Sequence, residues 1–343
     1  MTTGPELSQI LGPNYNLIGF DPRGVNNSGP TVDCFPNDPN ARSIFKDLFF
    51  SDTSNSSSNS LQKQYYAADL FGQWCSESFR KNASGQYVST PAVAKDMLSY
   101  IKAERNAAGK AEEDAKLWYY AVSYGTALGS TFAALFPNNV GRLVLDGVLD
   151  AQDYYNLGWK TNLYLTDEAL STFSTYCHQG GPKNCSFWGP SAQNITDRLN
   201  SILFKLQDNP IPVSGLNAGT TTGLATFADL KQMMLQAVYA PVQRFPPLAD
   251  ALLALENGDG SQVIGGISFV NEAHDVEIVI KCVDGYQGTN LSTLEAFEHY
   301  VTLLEGQSKY FGDAWPTNSN NVLCRSLKLS TSDTRSFSGA LLP

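Results

Sequence analysis

Two kinds of apolar pattern alternate along the first half of the chain. Leu117-Trp-Tyr-Tyr-Ala-Val122 is an unbroken apolar run of strand length, too short for an ordinary helix. Thr126-Ala-Leu-Gly-Ser-Thr-Phe-Ala-Ala-Leu-Phe136 reads as an apolar helix, stopped by Pro137, which has no amide to continue it. Arg142-Leu-Val-Leu-Asp146 reads as the next strand. Upstream, Asn16-Leu-Ile-Gly-Phe20 predicts a short buried strand that ends in the turn-rich Asp21-Pro-Arg-Gly-Val-Asn-Asn-Ser-Gly-Pro30. A further helix is expected from Thr90-Pro91, with threonine as N-cap and proline at the first helical position. Its apolar side recurs at Val93, Met97, Tyr100 and Ile101. Strand, helix, strand, helix, strand in this order predicts an α/β fold, a parallel sheet wrapped by helices.

After about residue 150 the texture changes. Helical spacing dominates Asp167–Tyr176, Ile195–Leu206, Phe227–Ala240 and Leu248–Leu255. Ile195, Leu199, Ile202, Leu203 and Leu206 form one apolar stripe, the mark of a helix packed on a core. Residues 51–60, almost all Ser, Asn, Thr and Asp, predict a solvated low-complexity loop. The chain therefore divides into 1–150, a partial α/β core, 151–330, a mostly helical cap, and 331–343, the start of a return to the core.

Composition narrows the function classes. The 343 residues carry a net charge of −10, and the pI is about 4.8. Nucleic acid and anionic membrane surfaces both require a basic face, so neither is an expected partner. No stretch approaches the ~20 apolar residues that span a bilayer. Met1-Thr-Thr-Gly-Pro-Glu-Leu7 has neither the basic start nor the apolar stretch of a signal peptide. The six cysteines, by contrast, are even in number and show neither CxxC pairs nor zinc-spaced histidines, which favours disulfides. N-glycosylation sequons begin at Asn26, Asn55, Asn82, Asn184, Asn194 and Asn290. Together these indicate a secreted protein whose signal lies outside this chain. No metal-ligand constellation and no phosphate-binding glycine loop is visible, Val263-Ile-Gly-Gly266 reading as a turn, so no cofactor and no metal are expected.

The candidate chemistry lies at Ala121-Val-Ser123-Tyr-Gly125. A serine between a strand and a helix, with small residues two before and two after it, has the setting of a nucleophile elbow. Ala121 and Gly125 sit where the helix folds back on the strand, and Gly129, one turn on, allows close helix–sheet packing. Ser123 is thus the candidate nucleophile, and the Tyr124 N–H, at a helix N-terminus, a candidate oxyanion donor.

With these residues in view the chain resembles the secreted tripeptidyl aminopeptidase branch of the α/β-hydrolases, relatives of the proline iminopeptidases in peptidase family S33. The likeness rests on Gly19-Phe-Asp-Pro-Arg-Gly24, Tyr119-Tyr-Ala-Val-Ser-Tyr-Gly-Thr126 and Phe136-Pro-Asn-Asn-Val-Gly-Arg-Leu-Val-Leu-Asp-Gly-Val148, with Ile280-Lys-Cys-Val-Asp-Gly285 and Cys324 in the cap. The resemblance implies a serine exopeptidase that releases short peptides or residues from peptides with a free N-terminus, beneath a helical cap. It also implies disulfides Cys177–Cys185 and Cys282–Cys324, with Cys34 and Cys75 as the remaining pair.

This fold orders its triad Ser, Asp, His, and the resemblance places acid and base downstream of the cap and the oxyanion loop upstream of residue 1. All are expected to lie outside this chain, as for a truncated enzyme whose serine is impaired. The histidines present, His178, His274 and His299, fall in cap-like sequence and read as solvated or packed. Asp146, ending the strand after the elbow helix, reads as a cap of the following turn. Among acidic cap residues, Glu272, Asp275, Glu277 and Asp284 are candidates for a substrate ammonium or, more simply, surface and helix-cap carboxylates. The alternatives are an esterase or lipase-like hydrolase, and a non-catalytic remnant or binding module.

Overall fold

The chain runs through helices α1 (Gly4–Leu11), α2 (Pro39–Phe49), α3 (Ser60–Asn82) and α4 (Thr90–Ala107) to strand β1 (Leu117–Ser123). Helix α5 (Tyr124–Leu135) follows with no connecting residue, and strand β2 (Val140–Val148) returns beside β1. Beyond these lie α6 (Ala151–Tyr155), α7 (Thr166–Gly180), α8 (Ala192–Asp208), short strands β3 (Ile211–Val213) and β4 (Gly223–Ala225), α9 (Phe227–Tyr239) and α10 (Pro241–Glu256). Last come α11 (Asp275–Asp284), α12 (Leu294–Gln307) and α13 (Trp315–Ser319). The structure, a computed structural model, describes residues 4–82, 84–215, 222–264, 275–285 and 291–329.

Strands β1 and β2 pair in parallel, Tyr120 opposite Val144 and Val122 opposite Asp146. Parallel neighbours need a crossover, and α5 supplies it. One face of the pair is covered: Leu117 is buried with Val93, Met97 and Ile101 of α4 and with Leu128 and Phe132 of α5. The other face presents Trp118, Val122, Val144 and Val148, each more than half exposed, with the Arg142 guanidinium 5.2 Å above the Trp118 ring. The sequence pattern predicts helices wrapping the sheet; among the described residues they cover one face.

Two sequence expectations are corrected. Residues 16–20 form no strand; Leu17, Ile18 and Phe20 are exposed. A strand exists only through a ladder partner for its amides and carbonyls, and 16–20 makes none, although Tyr15 meets the Trp118 ring at 6.0 Å. Residues 51–60 are not simply solvated, since Thr53, Ser54 and Ser60 are buried. Thr53 Oγ1 donates to Asp313 Oδ2 (2.8 Å), Ser54 Oγ to Gln64 Oε1 (2.7 Å), and Ser60 Oγ to the Ser54 carbonyl (2.9 Å). Hydroxyls whose hydrogen bonds are met inside need no water.

The helical expectations after residue 150 are met by α7 to α10, though α10 starts at Pro241, ahead of the expected Leu248, with Pro241 at its first position. All five residues of the 195–206 stripe are buried. The largest apolar core draws on both sides of residue 150, joining Phe49 and Phe71 to Phe173, Phe187, Phe297 and Phe311. Three disulfides are present, Cys34–Cys75, Cys177–Cys185 and Cys282–Cys324. Among the described residues no helix is long and apolar enough to cross a membrane.

Candidate active site

Ser123 is the last residue of β1 and the N-cap of α5, and the chain reverses direction at it within one residue. It does so at φ 56°, ψ −126°, the conformation of the second residue of a type II′ turn, where glycine dominates. A side chain held there is strained, and Ser123 is exposed. The turn is pinned from below. Buried Thr126 donates from Oγ1 to the Ser123 carbonyl (2.6 Å) and accepts the Leu149 N–H (2.9 Å), tying the turn to the end of β2. The Tyr119 hydroxyl donates to the Gly125 carbonyl (3.0 Å); burial pushes this phenol up to about 12, so it stays protonated.

The small residues flanking the serine are sterically required. A Cβ on Gly125 would stand 2.8 Å from the Ala121 Cβ, and one on Gly129 would stand 2.8 Å from Leu145 Cδ2 and 2.9 Å from Tyr119 Cε1. Neither Cβ at the first contact can rotate away. Gly125→Ala is therefore expected to destabilise the fold by about 1–3 kcal/mol, the usual range for overpacking. Adding Ala121→Gly should recover part of the loss, measured as urea midpoints; equal midpoints for wild type and Gly125→Ala would refute the contact.

Tyr124 opens α5, and its hydroxyl lies 2.5 Å from Thr90 Oγ1. Thr90 is the first residue of α4; the N-cap is Ser89, one residue earlier than the sequence suggests, and the Ser89 side chain makes no capping bond. The cap comes instead from a distant segment. Asp284, at the end of α11, accepts the Thr90 N–H on Oδ1 (2.7 Å), and the Thr90 and Tyr154 hydroxyls on Oδ2 (2.5 and 2.7 Å). Burial holds the Tyr124 and Tyr154 phenols well above 10, helped by the Asp284 charge, so both keep their protons.

Burial also raises the Asp284 carboxyl from 3.8 to about 6, against the pull of its bonds from Thr90 and Tyr154. The folded group thus holds its proton more tightly than the unfolded one. Its contribution to stability is complete below about pH 4 and is lost as pH rises through about 6, a change on the order of 3 kcal/mol. Relative to Asp284→Asn, the wild type should lose this much between pH 4 and 7; parallel stability–pH curves would exclude it.

The other candidate residues are dispersed. Asp146 accepts the Tyr120 hydroxyl (3.1 Å) on the exposed sheet face, rather than capping the next turn; Asp150 caps α6 through the Asp153 N–H (3.0 Å). His178 Nδ1 lies 3.0 Å from the Gly189 carbonyl, its ring stacked on Trp188. His299 is exposed on α12, and His274 and Glu272 lie outside the described residues. Among the described residues no histidine is hydrogen-bonded to Ser123. Asp275 and Asp284 are not open ammonium sites. Both are buried, and Asp275 is taken by Arg42 (2.7 Å to each oxygen) and the Cys34 N–H (2.6 Å). Glu277 is exposed. Among the described residues no group of three or more His, Cys, Asp or Glu could hold a metal ion.

Sequence reasoning missed Thr90 and Tyr154 as neighbours of the elbow, and took Asp284 as a candidate for a substrate ammonium or, more simply, a surface or helix-cap carboxylate, without linking it to Thr90 or the elbow. The available hint was local: an aspartate two residues past a half-cystine, at a helix end before Gly285. Its partner is 194 positions away and leaves no local signature.

No protein-family model matches the chain. It is 26% identical over 290 residues to the serine protease Hip1 of Mycobacterium tuberculosis, covering 81% of this chain and 52% of that protein. It is 35% identical over 136 residues to the tripeptidyl aminopeptidase of Streptomyces lividans, covering 40% of this chain and 22% of that one. The chain spans about half the length of the Hip1 proteins it matches. Its similarity is thus to serine peptidases, and a small parallel sheet joined to many helices is compatible with part of an α/β-hydrolase together with a helical domain.

Proposed function

We propose that this chain bears the nucleophile of a serine hydrolase of peptidase type, with Ser123 attacking and the Tyr124 N–H receiving the oxyanion. The observation behind this reading is the Ser123 backbone, an exposed non-glycine residue at φ 56° between strand and helix. Strain kept at one polar residue is a feature of functional turns, and the relatives' names give the chemistry its class. In this mechanism Ser123 Oγ bonds to the substrate carbonyl carbon while its proton passes to a base. The oxyanion forms against the α5 N-terminus, where main-chain N–H groups point outward. The intermediate collapses to an acyl-enzyme as the leaving amine takes up the proton, and water then releases the acyl group.

A serine without its base is a weak nucleophile. The base and the acid are proposed to come from polypeptide beyond the described residues, and a chain without them would keep only residual catalysis. Residues 1–150 would form part of the catalytic core and 151–330 the lid; 331–343, expected to return to the core, lie outside the described residues. The substrate class is peptides with a free N-terminus, cleaved to short products, by analogy with the aminopeptidase. Secretion is supported by three disulfides and by exposed sequon residues Asn26, Asn55 and Asn184.

The test compares tripeptide p-nitroanilides, N-terminally free and acetylated, with aryl esters on the full-length protein. Turnover of the free peptide alone is the expected result. Turnover of esters without any free peptide would replace the peptidase with an esterase. No turnover, with no fluorophosphonate labelling of folded protein, would favour a non-catalytic remnant.

A further inference from the structure

A main-chain oxyanion donor is aimed by whatever holds the residue that bears it, and Tyr124 is held at its far end. An ionised carboxylate only accepts, so the single Thr90 hydroxyl proton goes to Asp284 and Thr90 Oγ1 must accept the proton of Tyr124. The bonds then run one way, from Tyr124 to Thr90 to Asp284. The Thr90 N–H and the Tyr154 hydroxyl occupy further acceptor positions on the same carboxylate. Thr90 and Asp284 are fully buried, at 0% and 1% exposure, and the Tyr124 and Tyr154 rings meet at 5.9 Å. The carboxylate sits on α11, which Cys282 joins covalently to Cys324, so the anchor of the relay is itself fixed.

We propose that Asp284 is a positioning residue for acyl transfer: acting through Thr90, it fixes Tyr124 and so aims the main-chain N–H next to Ser123 at the developing oxyanion. This inference rests on the assignment of Ser123 and Tyr124 made above. Asp284 is enclosed by its own partners and does not meet substrate. An interaction that matters only as the oxyanion forms changes kcat and leaves KM in place.

The experiment is steady-state kinetics of the full-length protein on the free-N-terminus p-nitroanilide, for Asp284→Asn, Thr90→Val, Tyr124→Phe and the Tyr124→Phe/Asp284→Asn pair. Thr90→Val keeps the capping amide and removes the hydroxyl; Tyr124→Phe breaks only the first link and leaves the buried carboxylate capped. Each single variant is expected to lower kcat roughly 10- to 100-fold, a fraction of what loss of an oxyanion donor can cause, with KM within about twofold. The double variant should be no slower than Asp284→Asn alone, because both cut one relay. Wild-type kcat in folded Tyr124→Phe and Thr90→Val, losses confined to KM, or losses that multiply in the double variant would each overturn the inference. Should Asp284→Asn fail to fold, the other two single variants decide. Failure of the wild type to label with fluorophosphonate at Ser123 is a separate result, which removes the nucleophile assignment and this inference with it.

Discussion

Replacing Ser123 with alanine is expected to abolish fluorophosphonate labelling and to lower peptide hydrolysis by roughly 10⁵- to 10⁶-fold, the scale at which acyl-transfer enzymes lose rate without their nucleophile. The same change should leave stability nearly untouched, because the Ser123 side chain makes no capping hydrogen bond to α5 and alanine inherits the same backbone. Ser123→Gly separates strain from chemistry. At φ 56°, ψ −126° glycine is unstrained, so this variant should be as inactive as the alanine but more stable than wild type by about 1–2 kcal/mol. Activity would then be maintained at the expense of local stability. Retained labelling in Ser123→Ala would remove the nucleophile assignment. A less stable Ser123→Gly would remove the strain argument while leaving the chemistry standing.

The largest expected loss of stability lies away from the elbow, at Lys231 and Asp313. Both are almost completely buried. The Lys231 ammonium donates to Asp313 Oδ1, and the other carboxylate oxygen accepts Thr53 Oγ1 at 2.8 Å. The Asp313 carbonyl takes the Ser54 N–H at 2.8 Å. Asp313→Ala would leave the Lys231 ammonium in the interior without its bridging carboxylate, facing the Phe227 ring 4.8 Å from Nζ and the weaker, unbridged charge of Glu305. The Ser54 bond to the Asp313 main chain would survive, but the Thr53 hydroxyl would lose its acceptor. Breaking a buried pair from one side is expected to destabilise by about 3–5 kcal/mol, a large share of the ~5–15 kcal/mol that holds a typical domain together. Lys231→Met should be comparably harmful, since it leaves the carboxylate buried with Thr53 alone from the pair's surroundings. Replacing both, as Lys231→Met/Asp313→Leu, should be less harmful than either single change, because no uncompensated charge remains. Urea unfolding of the four proteins decides this, and strictly additive losses would show that the two charges do not depend on each other.

The β1–α5–β2 unit was legible because its determinants are local. An apolar run of strand length, small residues around Ser123 and Pro137 after the helix place each element within a few residues. The stripe on α8 was legible for the same reason. What could not be read depends on partners far along the chain. Asn16–Phe20 has strand-like composition, yet a strand is defined by the ladder beside it, and composition does not reveal a missing neighbour. Thr53, Ser54 and Ser60 look solvent-bound in sequence because polarity alone does not show that Asp313 and Gln64 satisfy them. The proposed relay of Tyr124, Thr90 and Asp284 is the functional counterpart: the elbow itself is a local motif, and its support is assembled from two remote segments.

Helix α11 is secured at three points. Asp275 at its start grips Arg42 and the Cys34 amide, Cys282 is bonded to Cys324, and Asp284 at its end holds Thr90 and Tyr154. In mechanical terms it is a tie rod between the elbow and the helical region. A protease that cut the chain on both sides of α11 would not free it, since the Cys282–Cys324 bond would keep the piece attached until a reductant released it. Any movement of the helical region relative to Ser123 would therefore have to pivot around this rod, with its two carboxylate ends staying where they are.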